Sequence, residues 1–161
     1  MVYTRIQRGN NIFMNIFMGF KGKNNNSSII AQALAENYGH CLLLTNSFCG
    51  LQKDIEEIAE AYQAAFLFGI DKTLRNEIRI ETIAQKNSGK YRTKIDFQKL
   101  SSCFEAAGIL CTISSSPTFY LCNEAYWYAL QKFKGNAILI HIPTIKNADG
   151  NFVENIKKAF A

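Results

Sequence analysis

Short apolar runs alternating with helically spaced patterns constrain this chain most. Residues 12–18, 41–45, 64–68, 78–83, 109–113 and 137–142 are runs too short for helices, several of them rich in branched and aromatic side chains, and they read as strands. Between them lie amphipathic patterns. Ser27 or Ser28 is placed to cap a helix reaching about residue 37. Leu51, Ile55, Ile58 and Tyr62 fall at helical spacing. Asp96 precedes a stripe of Phe97, Leu100 and Phe104 that Gly108 ends. Tyr126, Ala129, Leu130 and Phe133 share one face of a helix that follows Cys122 and stops at Gly135, and residues 152–160 form a last helix. Residues 19–26, 85–94 and 114–117 read as loops and turns. Buried strands alternating with amphipathic helices predict an α/β fold: one domain over residues 1–161, a three-layer α/β/α sandwich around a mostly parallel sheet. Working residues in such sheets collect beyond the carboxyl ends of the strands.

Composition narrows the functional classes. A chain of 161 residues that is 48% hydrophobic can bury a proper core and is not a disordered segment. The net charge of +5 is mild and scattered, which argues for a basic surface and against a nucleic-acid partner. Five cysteines, an odd number with no C-x-x-C pair, read as reduced thiols of a cytoplasmic protein. With only two histidines beside them, no metal site is expected. Arg5 and Arg8 precede the run at 12–18, but Asn15 interrupts it and no small-x-small cleavage site follows, so it reads as a first strand. No run approaches membrane-spanning length, and no membrane partner is expected.

Two residues carry chemistry. Cys122 stands where a helical pattern begins, and His141 ends the apolar run at 137–142. A helix start and a nearby imidazolium both favour a thiolate, and a histidine at a strand end is well placed to act as base. The competing base, His40, lies in Tyr38-Gly39-His40, which reads as a helix-ending turn. Glu81 falls in the alternating run Ile78-Arg79-Ile80-Glu81, whose pattern leaves its direction open.

These residues together resemble a known family. Thr118-Phe119-Tyr120-Leu121-Cys122-Asn123 is similar to the G-T-[FY]-[VL]-C-N segment of the pyroglutamyl peptidase I (pyrrolidone-carboxylate peptidase) family. Ile140-His141-Ile142-Pro143 resembles its H-[IV]-P segment. Glu81-Thr82-Ile83-Ala84-Gln85-Lys86-Asn87 resembles its E-R-[VI]-A-x-N signature with one extra residue, and Leu44-Thr45-Asn46-Ser47-Phe48 and Met18-Gly19-Phe20 resemble its L-P-V-S-F and T-G-F segments. The resemblance implies a cysteine peptidase that removes N-terminal pyroglutamate from peptides, without a cofactor and as a multimer. Cys122 is then the nucleophile, His141 the base and Glu81 the residue that orients the imidazole. Phe20 would wall the pocket for the pyrrolidone ring, and Asp71 and Arg92 would contact polar groups of the substrate. The chain departs from the family at 19–23, at 69–75, where Arg75 matches but the glutamine is missing, and at 88–96, which is shorter. Those departures motivate an alternative: a divergent non-peptidase that acts on or binds another small amide.

Overall fold

The computed structural model describes residues 14–59 and 62–161, with the backbone of residues 7–8 and 11–12. A two-residue antiparallel pairing joins β1 (Gln7–Arg8) to β2 (Asn11–Ile12). The remaining elements are β3 (Met14–Phe20), α1 (Asn26–Tyr38), β4 (Gly39–Leu44), α2 (Phe48–Glu56), β5 (Tyr62–Ile70), β6 (Glu77–Glu81), β7 (Ile83–Lys86), β8 (Gly89–Arg92), α3 (Phe97–Ala106), β9 (Leu110–Ser114), α4 (Leu121–Lys132), β10 (Ala137–Ile142), a 3₁₀ turn (Ile145–Asn147) and α5 (Phe152–Phe160).

Six strands form the central sheet in the order β4-β3-β5-β10-β6-β9. β4, β3, β5 and β10 run parallel; β6 and β9 run parallel to each other and antiparallel to β10. Side chains alternate across such a sheet, and the apolar runs divide accordingly. Phe17, Phe66, Phe68, Ile138, Ile140, Ile78 and Ile80 bury one face under α1, α3 and α5. Ile16, Met18, Phe20, Ala65, Leu67 and Leu139 bury the other under α2 and α4. Strands apolar on both faces need helices on both, so the three-layer α/β architecture with a mostly parallel sheet follows from the run composition.

Several local expectations are corrected. The strand expected at 12–18 is β3, shifted to Met14–Phe20; position 13 lies outside the described residues. β3 continues through Gly19 and Phe20, expected in a loop, because α1 packs tightly there: a Cβ on Gly19 would lie 2.4 Å from the Ser27 carbonyl oxygen. The cap of α1 is Asn25, neither Ser27 nor Ser28; its Oδ1 accepts from the Ser27 N–H and hydroxyl at 3.0 and 2.7 Å. Tyr62 belongs to β5 rather than to the preceding helix, which ends at Glu56. The strand expected at 78–83 breaks at Thr82, whose N–H donates to the Ser114 carbonyl. Residues 85–94 are not simply a loop. Most of them form the antiparallel hairpin β7–β8, turned at Asn87 in the left-handed region (φ 54°). Tyr91 and Gly89 pack this hairpin against Trp127 of α4, with the Tyr91 and Trp127 rings 4.5 Å apart. Asp96 caps α3 as expected, through Lys99 N–H.

Candidate active site

β10 ends at the site. His141 pairs with Gly69 of β5 on one side and with Arg79 of β6 on the other, and Glu81 pairs with Leu139 two residues away. Residues in register share a sheet face, so Gly69, Arg79, Glu81 and His141 all point toward the α4 layer. Glu81 comes from an antiparallel strand and reaches His141 diagonally.

The imidazole is fixed by this placement. His141 Nδ1 lies 2.9 Å from Glu81 Oε1, and both side chains are almost fully buried. Burial alone would push the Glu81 carboxyl up, but bonds from His141 and Arg79 outweigh it and hold the carboxyl below its ordinary range. An ionised carboxylate only accepts, so Nδ1 donates to it, and Nε2 is the ring nitrogen left for proton exchange. Glu81 Oε1 accepts a second bond from Arg79 Nε at 2.8 Å. Ser114 lies close enough to lower the Glu81 carboxyl further, yet Oε2 has no hydrogen-bond partner.

Cys122 is the second residue of α4. The helix carries its thiol directly over Gly69: a Cβ built on that glycine would lie 2.5 Å from Cys122 Sγ and 3.4 Å from His141 Cδ2. Sγ and the Cδ2 edge of the imidazole, next to Nε2, therefore flank one small space that only a glycine leaves open. Two tethers set the height of α4 above the sheet. Asn123 Nδ2 donates to the Gln85 carbonyl at 2.7 Å, and Gln85 N–H donates to Asn123 Oδ1 at 3.0 Å. The Tyr126 hydroxyl donates to the backbone carbonyl of Glu81 at 2.9 Å. Both tethers join α4 to the segment that begins at Glu81, so Cys122 and Glu81 are held by one contact region. No side chain caps α4; Asn123 and Glu124 N–H donate to the Tyr120 carbonyl, while the Leu121 and Cys122 N–H groups ahead of them have no intrahelical acceptor.

The resting thiol is neutral, contrary to the expectation of a lowered pKa. Burial pushes Cys122 up to about 11, the Glu81 and Asp71 charges add to the rise, and its own backbone N–H opposes them only in part. The proton therefore leaves the sulfur only when a base takes it, and the His141 ring borders the same small space over Gly69.

The other expected site residues divide. Phe20 is buried in the core cluster against which Cys122 packs. Asp71 is near the site but occupied: Thr73 N–H and hydroxyl donate to Oδ1 at 2.8 and 2.6 Å, and Arg79 Nη2 donates to Oδ2 at 2.6 Å. Burial would raise this carboxyl; Thr73 and Arg79 reverse that and bring it to about 2. Arg92 is not brought to the site. It ends β8 over the Phe97 ring and lines a cavity with Leu130, Gln131 and Gly135, some eight helical residues or roughly 12 Å along α4 from Cys122. Hairpin formation carries it there, so the match to a family arginine does not survive as a site contact. His40 lies on the edge strand β4, where Nδ1 meets the Tyr62 hydroxyl at 2.7 Å, and is separated from β10 by β3 and β5. Sequence reasoning did not single out Gly69, Arg79 or Tyr126; the only available sign was a glycine closing the apolar run at 64–68.

Comparisons with known proteins bear on the fold. The sequence matches no protein-family model, and no curated protein matches it. Solved structures do. Pyrrolidone carboxyl peptidase from Thermus thermophilus superposes with a TM-score of 0.75 at 17% identity, over 91% of this chain and 98% of that one. The enzyme from Fervidobacterium islandicum AW-1 gives 0.74 at 18% identity, over 92% and 94%. Pyroglutamyl peptidase I from Bacillus amyloliquefaciens gives 0.72 at 14% identity, over 92% and 93%. The chain has the fold of the pyrrolidone carboxyl peptidases.

Proposed function

We propose that this protein is a cysteine peptidase that releases N-terminal pyroglutamate from peptides, with Cys122, His141 and Glu81 as its triad. The observation that carries the reading is the shared space over Gly69, flanked by the Cys122 sulfur and the ring edge of a His141 whose other nitrogen is held by Glu81. His141 Nε2 takes the Cys122 proton as the sulfur attacks the carbonyl after the pyrrolidone ring. Glu81 stabilises the imidazolium that forms. N–H groups at the first turn of α4 hold the oxyanion. The imidazolium then gives its proton to the departing amine, leaving a thioester. Water, activated by the same nitrogen, hydrolyses it to free pyroglutamate and restores the thiol. No helix among the described residues is long and apolar enough to cross a membrane, which suits the cytoplasmic location we propose.

A second reading has its own support. Asp71 is engaged with Thr73 and Arg79, and Arg92 lies at the far end of α4. A site lacking both contacts suits another small amide, acted on by the same triad. Hydrolysis of a pyroglutamyl-linked fluorogenic amide by wild type, with none by Cys122→Ala, is the deciding experiment. Turnover of prolyl and pyroglutamyl amides at equal rates would reject the lactam pocket, because a site built to bond the ring carbonyl discriminates by about 10⁴-fold.

A further inference from the structure

We propose that Arg79 is a positioning residue: its guanidinium, anchored by Asp71, fixes the Glu81 carboxylate so that Oε1 stays presented to His141 Nδ1. This rests on the triad reading above and adds to it a device the triad itself does not contain.

Glu81 is 2% exposed, yet its carboxylate is poorly supplied with donors. Oε2 has no hydrogen-bond partner, and Oε1 takes both available bonds, from His141 Nδ1 at 2.9 Å and Arg79 Nε at 2.8 Å. A carboxylate held at one oxygen by one donor can swing about its terminal torsion. Two donors from different directions remove that freedom. Removing Arg79 would leave Glu81 with the histidine and the weaker influence of Ser114, in a setting where burial already favours the protonated acid. A protonated Glu81 cannot stabilise an imidazolium.

Arg79 is itself fixed. Its Nη2 donates to Asp71 Oδ2 at 2.6 Å. The other oxygen of Asp71 is taken by Thr73 N–H and hydroxyl, and Asp71 N–H donates to the Ile142 carbonyl at the end of β10. The anchor thus hangs from the strand that carries His141. One planar fork bridging two carboxylates in set directions is what a guanidinium does and an ammonium does not. The Arg79 and Asp71 side chains are 26% and 20% exposed, so the pair is largely shielded from solvent and the fork is held in place.

The test is a double-mutant cycle on a pyroglutamyl amide, with melting temperature monitored. Arg79→Met is expected to lower kcat about 10- to 100-fold, the cost of losing a partner that orients a working ligand, with KM unchanged. Arg79→Lys is expected to restore only part of that loss. In a Glu81→Gln background, Arg79→Met should cost nothing more, because its path runs through Glu81. Multiplicative losses in the double variant, or a loss confined to KM, would overturn the proposal. Should wild type turn over no pyroglutamyl amide, the peptidase reading fails alone, and the positioning role is read by NMR. The chain has two histidines, so His40→Gln identifies the His141 Nδ1–H signal. That signal should exchange slowly in wild type and be lost in Arg79→Met. An unchanged signal in folded Arg79→Met refutes the role of Arg79.

Discussion

Gly69→Ala is the most direct probe of the site. Gly69 lies within the extended strand β5, so the backbone accepts alanine, and strand propensity alone would favour it by roughly 0.5–1 kcal/mol. The new methyl, however, would begin 2.5 Å from Cys122 Sγ. An unstrained contact between such atoms needs about 3.5–4 Å, so the sulfur must retreat by about 1 Å or more. Retreat of the helix is opposed by the Asn123–Gln85 bonds and the Tyr126 tether, so the side chain turns away from His141 instead. Displacement of a reacting atom by 1 Å costs on the order of 100-fold in rate. We expect Gly69→Ala to fold, to keep KM for a pyroglutamyl amide, and to lose about 100-fold in kcat. The overpacking itself is expected to cost about 1–3 kcal/mol, visible as a lower melting temperature. The three readouts are steady-state kinetics, the alkylation rate of Cys122 and thermal unfolding. Wild-type kcat together with an unchanged alkylation rate would refute the placement of Cys122 over Gly69.

Other expectations follow from the same geometry. Because burial holds the Cys122 thiol at about 11, its alkylation by iodoacetamide should be slow at pH 7, behind exposed Cys49, and should rise steeply as pH approaches 11; faster labelling of Cys122 at neutral pH would show a preformed thiolate. His141→Ala should lower kcat by orders of magnitude, whereas His40→Ala, which loses only a surface bond to Tyr62, should change it a few-fold at most; the reverse pattern would move the site to β4. Asn123→Ala leaves the Gln85 N–H and carbonyl unpaired, with an expected cost of about 1–3 kcal/mol per group left buried, and kcat should fall with stability; a variant as stable and active as wild type would mean that this tether does not position α4. The folded Asp71 carboxyl, at about 2, lies below an unfolded value of about 3.9, so its contribution is present above pH 4 and is lost as pH falls toward 2; acid titration of Asp71→Asn should lack that component of the unfolding profile.

The sheet and its covering layers were legible because the strands are apolar on both faces. Residues 64–68 and 137–142 admit no other placement than the middle of a helix-covered sheet, and β5 and β10 lie side by side there. Asp96 could be read as a cap because its residue type and the stripe after it agree. Capping of α1 by Asn25 was harder to see: a run of three asparagines followed by two serines offers several equivalent caps, and the choice depends on where β3 ends. The hairpin at 83–92 was hidden for a related reason. Its residues are polar because one side meets water, and its apolar partner is Trp127 on a helix more than thirty residues downstream.

For the site, the sequence alone determined which groups were available. The strand-end histidine, the cysteine at a helix start, the carboxylate at Glu81 and their order along the chain are properties of local pattern, and local pattern is readable residue by residue. Only the tertiary structure decided their relations. β6 is antiparallel to β10, so Arg79 faces His141 and Glu81 reaches it diagonally. The missing side chain of Gly69 leaves the space into which both the thiol and the imidazole edge reach. Burial sets the thiol's charge state, whatever the helix start would favour on its own. Asp71 is drawn to Arg79, and Arg92 is carried away by a hairpin. Each of these depends on pairing between segments far apart in the chain. Register, closeness of approach and desolvation exist only once those segments have met.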